Sequence, residues 1–108
     1  MPAAALKKRS RVWNMDVRII KSPTQGVIEI LQHRISSEGK AKLEHVDAIG
    51  LVQGKLIDMI EAADIAEKAV GVTVEDVRGT CPQHMVLLAM FGDTAAVEAA
   101  IEKIRESL

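Results

Sequence analysis

The stretch Arg78-Gly79-Thr80-Cys81-Pro82-Gln83-His84-Met85 holds the chain's one cysteine, three residues ahead of a histidine. A thiolate and an imidazole at this spacing support three kinds of chemistry. They could form half of a zinc site completed by another chain, since zinc accepts both donors. They could act as nucleophile and base, although Glu75 and Asp76 lie on the preceding apolar run and leave His84 without an adjacent orienting carboxylate. The cysteine could also supply one thiolate to an iron–sulfur cluster, which needs about four. One chain offers one, so only a symmetric assembly could converge enough sulfurs on its axis. The plain alternative is a small buried apolar residue. Pro82 and the polar neighbours Thr80 and Gln83 argue against burial.

Other candidate chemistry is thin. Gly50, Gly54, Gly79 and Gly92 match neither the dinucleotide-binding nor the P-loop spacing. Asp58, Glu61, Asp64 and Glu67 recur every third residue, the pattern of a solvated or subunit-facing helix surface rather than of paired catalytic carboxylates. His33 and His45 fall at element ends, and His84 opens an apolar run, where histidine is ordinarily structural. Met59, Met85 and Met90 follow the core periodicity.

The elements that carry Cys81 have to be built from aliphatic residues. Of 108 residues, 48% are apolar and 2% aromatic, Trp13 and Phe91 being the aromatics. A core of Ala, Val, Ile, Leu and Met packs in thin, closely approaching layers, and the length fits one domain. The net charge of −1 conceals an asymmetry, because Lys7, Lys8, Arg9 and Arg11 precede all 15 acidic residues. Residues 1–16 therefore read as a basic, flexible tail and residues 17–108 as the domain. Four charges beside an alanine run do not make a nucleic-acid surface. No apolar run nears the roughly 20 residues that span a bilayer, and "AAAL" is short for a signal peptide with its charges on the wrong side. A soluble, cytoplasmic protein is expected, with no intrachain disulfide framework.

Val17–Ile20 predicts a short strand ending at the Ser22–Gly26 turn, and Val27–His33, rich in β-branched residues, predicts another. Ser36 is a candidate N-cap for a short helix through about Glu44. "VDAIGLVQ", from Val46, predicts a strand. "KLIDMIEAADIAEKAV" then predicts a helix whose apolar stripe is Leu56, Ile57, Ile60, Ala63, Ile65 and Ala69, with Gly71 closing it. "VTVEDVRG" and "HMVLLAMFG" predict two more strands. Asp93 and Thr94 cap a last helix whose stripe is Ala96, Val97, Ala100, Ile101 and Ile104. From Val46 the order is β-α-β-β-α, a ferredoxin-like unit without its closing strand. Val27–His33 is the spare strand, so the architecture reads as a circularly permuted α/β (α+β) fold.

The "DAIGLV" strand, the helix containing "IEAADIAEKA", and "FGDTAAVEAAIEKI" together resemble the shell-protein domain of bacterial microcompartments, the BMC domain. "RIIKSPTQGVIEILQHRIS" resembles the leading segment of its circularly permuted subgroup. The resemblance implies a sheet with helices on one face and a homohexamer that tiles edge to edge with other shell proteins. It implies a structural protein rather than an enzyme, located in the cytoplasmic microcompartment shell, with neither nucleic acid nor membrane as partner. Lys68 matches the edge lysine, and Arg34 falls near an edge loop. Gly79, Thr80, Pro82 and Gln83 would line the central pore, and Val17–Ile20 could join a small barrel above it.

With Cys81-Pro82 in that pore loop, the chain resembles the U-type shell proteins of glycyl-radical propanediol microcompartments. That likeness implies an iron–sulfur cluster, of [4Fe–4S] type, ligated by Cys81 from several subunits. It serves electron transfer or gating across a shell that holds glycyl-radical enzymes. A plain metabolite-conducting hexamer without a cluster, and a small ferredoxin-like regulator or enzyme using Cys81 and His84, are the alternatives.

Overall fold

Alternating apolar runs from Ala48 onward build most of a sheet, and the rest comes from in front of them. The structure, a computed structural model, describes residues 15–44, 46–79 and 85–107. The chain runs β1 (Asp16–Lys21), α1 (Gln25–Gln32), α2 (Ser37–Lys42), β2 (Ala48–Lys55), α3 (Leu56–Lys68), β3 (Val72–Val77), β4 (Met85–Gly92) and α4 (Thr94–Ser107). The strands form one sheet in the order β1-β2-β4-β3, with every neighbouring pair antiparallel. β2-α3-β3-β4-α4 is the ferredoxin-like unit, and β1 occupies the place beside β2 that a closing strand after α4 would take. The relocated strand required by the topology is therefore present.

It is not the strand expected, however. Residues 27–32, read as the closing strand, belong to α1. Thr24 stands at its N-cap with extended backbone (φ −72°, ψ 159°), and its Oγ1 accepts a hydrogen bond from the Val27 amide at 3.3 Å. Ile28 and Leu31, one helical turn apart, then point together into the core. Cap and burial outweigh the β preference of Val27, Ile28 and Ile30, because β propensity is largely a packing preference. The closing strand is Asp16–Lys21, registered on β2 from Asp16 opposite Gln53 to Lys21 opposite Ala48. Val17–Ile20 thus forms part of the outer strand of its own sheet. Met15 is buried in the core, so Met15 and Asp16 already belong to the fold and not to a tail.

Successive residues of β2 and β4 serve opposite layers. Ala48, Val52, Leu88 and Met90 meet α3 and α4 through Met59, Ala62, Ala66, Val97, Ala100, Ile101 and Ile104. Ile49, Ala89 and Phe91 meet α1 and α2 through Ile28, Leu31 and Leu43, together with Ile35 between the two helices. The α3–α4 layer is the one expected from the sequence, and α1–α2 adds a cover on the other side. Gly50 lets α4 come close, since an added Cβ would lie about 3.0 Å from Met90 and Val97 side-chain atoms. Asp93 caps α4, its Oδ1 accepting from the Ala96 amide at 2.8 Å.

α3 also departs from expectation. Its buried residues are Met59, Ala62 and Ala66, whereas Leu56, Ile57 and Ile60 of the expected stripe are 46%, 76% and 65% exposed. The face turned to the sheet carries two alanines and the unbranched Met59, and the bulkier Leu56, Ile57 and Ile60 are left facing out. Ala63, Ile65 and Ala69 are half-buried at the margin of the core.

Candidate functional site

The last Cα pair between β3 and β4 is Val77 with Leu87, while Val86 and Met85 continue along β2 opposite Gly54 and Lys55. β4 therefore outruns β3 at this end of the sheet, and the connection between them carries the cysteine. Thr80, Cys81, Pro82, Gln83 and His84 lie outside the described residues, as does His45. Arg78 and Gly79 on one side and Met85 on the other form the described root of that loop.

The root is fixed by residues from much earlier in the chain. The Arg78 amide donates to the Arg34 carbonyl at 2.8 Å. The Arg78 Nη2 donates to the Ile35 carbonyl at 3.0 Å, and the Arg34 Nη1 returns a bond to the Arg78 carbonyl at 3.1 Å. One step along β3, the Ser36 hydroxyl donates to the Glu75 carboxylate at 2.8 Å while accepting from the Gly39 amide that begins α2. The Arg34–Ser36 segment is thereby anchored to β3 at Glu75 and just beyond it at Arg78.

The residues expected at the hexamer edge are far apart along β3. Arg34 stands beside Gly79 at the loop root, within 3.8 Å of where a Cβ on that glycine would be. Lys68 lies at the other end, in the last turn of α3 before Val72. Its Nζ approaches Asp64 Oδ2 at 2.7 Å, both side chains being exposed. The hydrogen bond that Lys68 donates to Asp64, and then the Asp64 charge, hold the Lys68 ammonium above the ordinary lysine range.

Two features flank the loop root. On the α1–α2 side a cleft of about 450 Å³ is lined by Arg34, Gln53, Arg78, Gly79, Met85 and Leu87. On the α3 side a smaller apolar groove joins Leu56 and Ile60 to Val86 and Leu88, and Ile57 on the same helix is exposed. No charged or polar side chain is buried among the described residues, and no helix there is long and apolar enough to cross a membrane. Sequence reasoning overlooked Arg78. Its one signal is its place directly before Gly79, at the point where the strand gives way to the loop.

The relocated β1 beside a ferredoxin-like unit is the permuted arrangement that the shell-protein resemblance implies. The chain belongs to the BMC domain family of microcompartment shell proteins, and the family match covers residues 48–108. The match begins at the first residue of β2, so β1, α1 and α2 stand in front of the matched segment, as a permutation requires. More particularly, the chain is similar to the GrpU microcompartment shell proteins. The ligand-free structure of GrpU from Clostridiales bacterium 1_7_47FAA is 57% identical over 83% of this chain and 87% of that one, with a TM-score of 0.65. That of GrpU from Pectobacterium wasabiae is 35% identical over 82% of this chain and 98% of that one, with a TM-score of 0.68. No curated protein matches the chain. The protein is a structural component of a microcompartment shell.

Proposed function

We propose that the chain forms a homohexameric shell tile in which six β3–β4 loops converge on the symmetry axis and Cys81 thiolates hold an iron–sulfur cluster. The observation that carries this reading is the exposed apolar flank of α3. Leu56 and Ile60 border a groove that reaches Val86, next to the loop root. An apolar surface on a soluble chain favours cover by a partner, and cover by a neighbouring copy at this place brings loops from adjacent subunits together. A closed ring then repeats one cysteine per chain around its axis.

The donor chemistry fits. Cys81 would offer iron one soft thiolate per subunit. Six thiolates exceed the four that a [4Fe–4S] cluster takes, so two subunits would be left without a bond to iron. Bound there, a cluster supplies one-electron transfer across the shell. Pro82 would contribute a restrained φ and no N–H beside the ligand. Lys68, at the far end of β3, and other shell proteins edge to edge complete the tile, and oxygen-sensitive glycyl-radical enzymes are the cargo that such a redox pore would serve.

Anaerobic reconstitution with iron and sulfide tests the reading on wild type and Cys81→Ser. Wild type is expected to turn brown and carry about four iron and four sulfide per hexamer. Cys81→Ser is expected to stay colourless at unchanged oligomer mass. Equal iron and colour in both would sink the cluster. A colourless wild-type hexamer would leave a plain metabolite-conducting tile, in which the ring of pore residues sets what passes.

A further inference from the structure

From the cleft beside the loop root we infer that each chain binds a small organic oxyanion, a carboxylate- or phosphate-headed molecule with a short aliphatic body, on Arg34 and Arg78. This site is separate from any cluster and does not depend on one. The cleft measures about 450 Å³, within the range of about 300–1,000 Å³ usual for small-molecule sites. Two guanidinium groups reach it from different parts of the chain, and each is tethered by backbone carbonyls rather than by a carboxylate. Arg34 spends Nη1 on the Arg78 carbonyl. Arg78 spends Nη2 on the Ile35 carbonyl and, at 3.5 Å, Nε on that of Arg34. Among the described residues the ion pairs are Lys21–Glu98, Lys68–Asp64 and Arg105–Glu102, so neither arginine is neutralised by an acid there.

Each guanidinium carries five N–H donors in a rigid fork. The carbonyl tethers leave donors on both arginines for a ligand while fixing where those donors stand, which lowers the entropy lost on binding. A planar or tetrahedral oxyanion matches such forks. The apolar part of the ligand is dictated by the strands: Val77, Met85, Val86 and Leu87 also line the cleft. Gln53 adds one amide, two residues along β2 from the half-buried Leu51. Asp76 is the opposing feature, since it also lines the cleft and a carboxylate repels an anion. The headgroup is therefore held at the Arg34 and Arg78 end, with the aliphatic body along Leu87 and Met85.

The test is calorimetric titration of the purified full-length protein at constant ionic strength with butyrate, butyl phosphate, inorganic phosphate and butanol. Butyrate or butyl phosphate should saturate, and the tighter of the two identifies the headgroup. Inorganic phosphate lacks the body and butanol lacks the charge, so each should bind about tenfold more weakly or not at all. Arg34 is exposed and makes one side-chain bond, so Arg34→Gln should melt as wild type does while losing about tenfold in affinity for the organic anion. Arg34→Lys, which keeps the charge without the fork, should fall between them. Absence of saturable binding by both organic anions would overturn the site, as would unchanged affinity in a folded Arg34→Gln. Inorganic phosphate or butanol binding as tightly as the organic anions would do the same, without reference to any variant.

Discussion

Ile57→Asp combined with Ile60→Asp is expected to turn the assembled protein into single folded chains. Within one subunit α3 is held by Met59, Ala62 and Ala66, and neither Ile57 nor Ile60 adds to that core. Far-ultraviolet circular dichroism of the double variant should therefore match wild type. Between subunits the balance reverses. Burying an isoleucine contributes about 1.5–3 kcal/mol, and a carboxylate forced into the same contact costs several kcal/mol more unless it is paired. Asp58, Glu61 and Asp64 on the same helix add repulsion. In the proposed ring both substitutions recur at every contact, so the effect would multiply around the assembly. Light scattering on the eluting peak should fall from the mass of six chains to that of one 11.7 kDa chain. The same variant should also lose its iron after reconstitution with Cys81 intact, because one chain presents a single thiolate. An unchanged oligomer mass would remove this flank of α3 from the interface.

How much of this was legible in the sequence depends on which contacts decide each element. From Ala48 onward the elements were readable because each signal is local. β2 and β4 are apolar runs, α4 has Asp93 to cap it, and its stripe of Val97, Ala100, Ile101 and Ile104 is the face it buries. Before Ala48 the signals conflict. Val27, Ile28 and Ile30 are β-branched, eight residues are few for a helical period, and the deciding cap, Thr24, stands behind Pro23 where the chain reads as a turn. A unit of order β-α-β-β-α without a closing strand still requires a relocated one, and β1 fills that place instead of residues 27–32.

The stripe on α3 misled for a different reason. Hydrophobicity ranks Ile57 and Ile60 above Ala62 and Ala66, but close approach to the sheet rewards the alanines. The bulkier residues are left exposed, an outcome that one helix's periodicity does not encode. At the loop root, Arg78 reads as an ordinary loop cation. Its role emerges only when Arg34, 44 residues earlier, is brought against it.

Gly92→Ala is expected to be among the most damaging changes a single methyl group can make in this sheet. Gly92 ends β4 opposite Ala48 on one side and Val72 on the other, and its carbonyl accepts from the Asp47 amide at 3.2 Å. A Cβ there would press into the Gly71 carbonyl oxygen, with the Gly71 carbonyl carbon and Val72 Cα at 3.5 and 3.6 Å behind it. All three are backbone atoms, so no rotamer change relieves the overlap. Gly71 is poorly placed to retreat. Its φ of 89° belongs to the turn that brings α3 into β3, and on its far side the Ala96 methyl stands 3.2 Å from where a Gly71 Cβ would be. Relief must come from parting β3 and β4 at Val72 or from lifting α4 at Ala96, and either loosens the core. The cost should be about 2–4 kcal/mol, a large share of the roughly 5–15 kcal/mol that holds a domain of this size. Gly26→Ala is the control: nothing lies within 4 Å of a Cβ there and the residue is already helical, so a gain of about 0.5 kcal/mol is expected. Urea denaturation of the two variants should move the midpoint in opposite directions, and an unmoved midpoint for Gly92→Ala would mean that the α3–β3 turn yields at little cost.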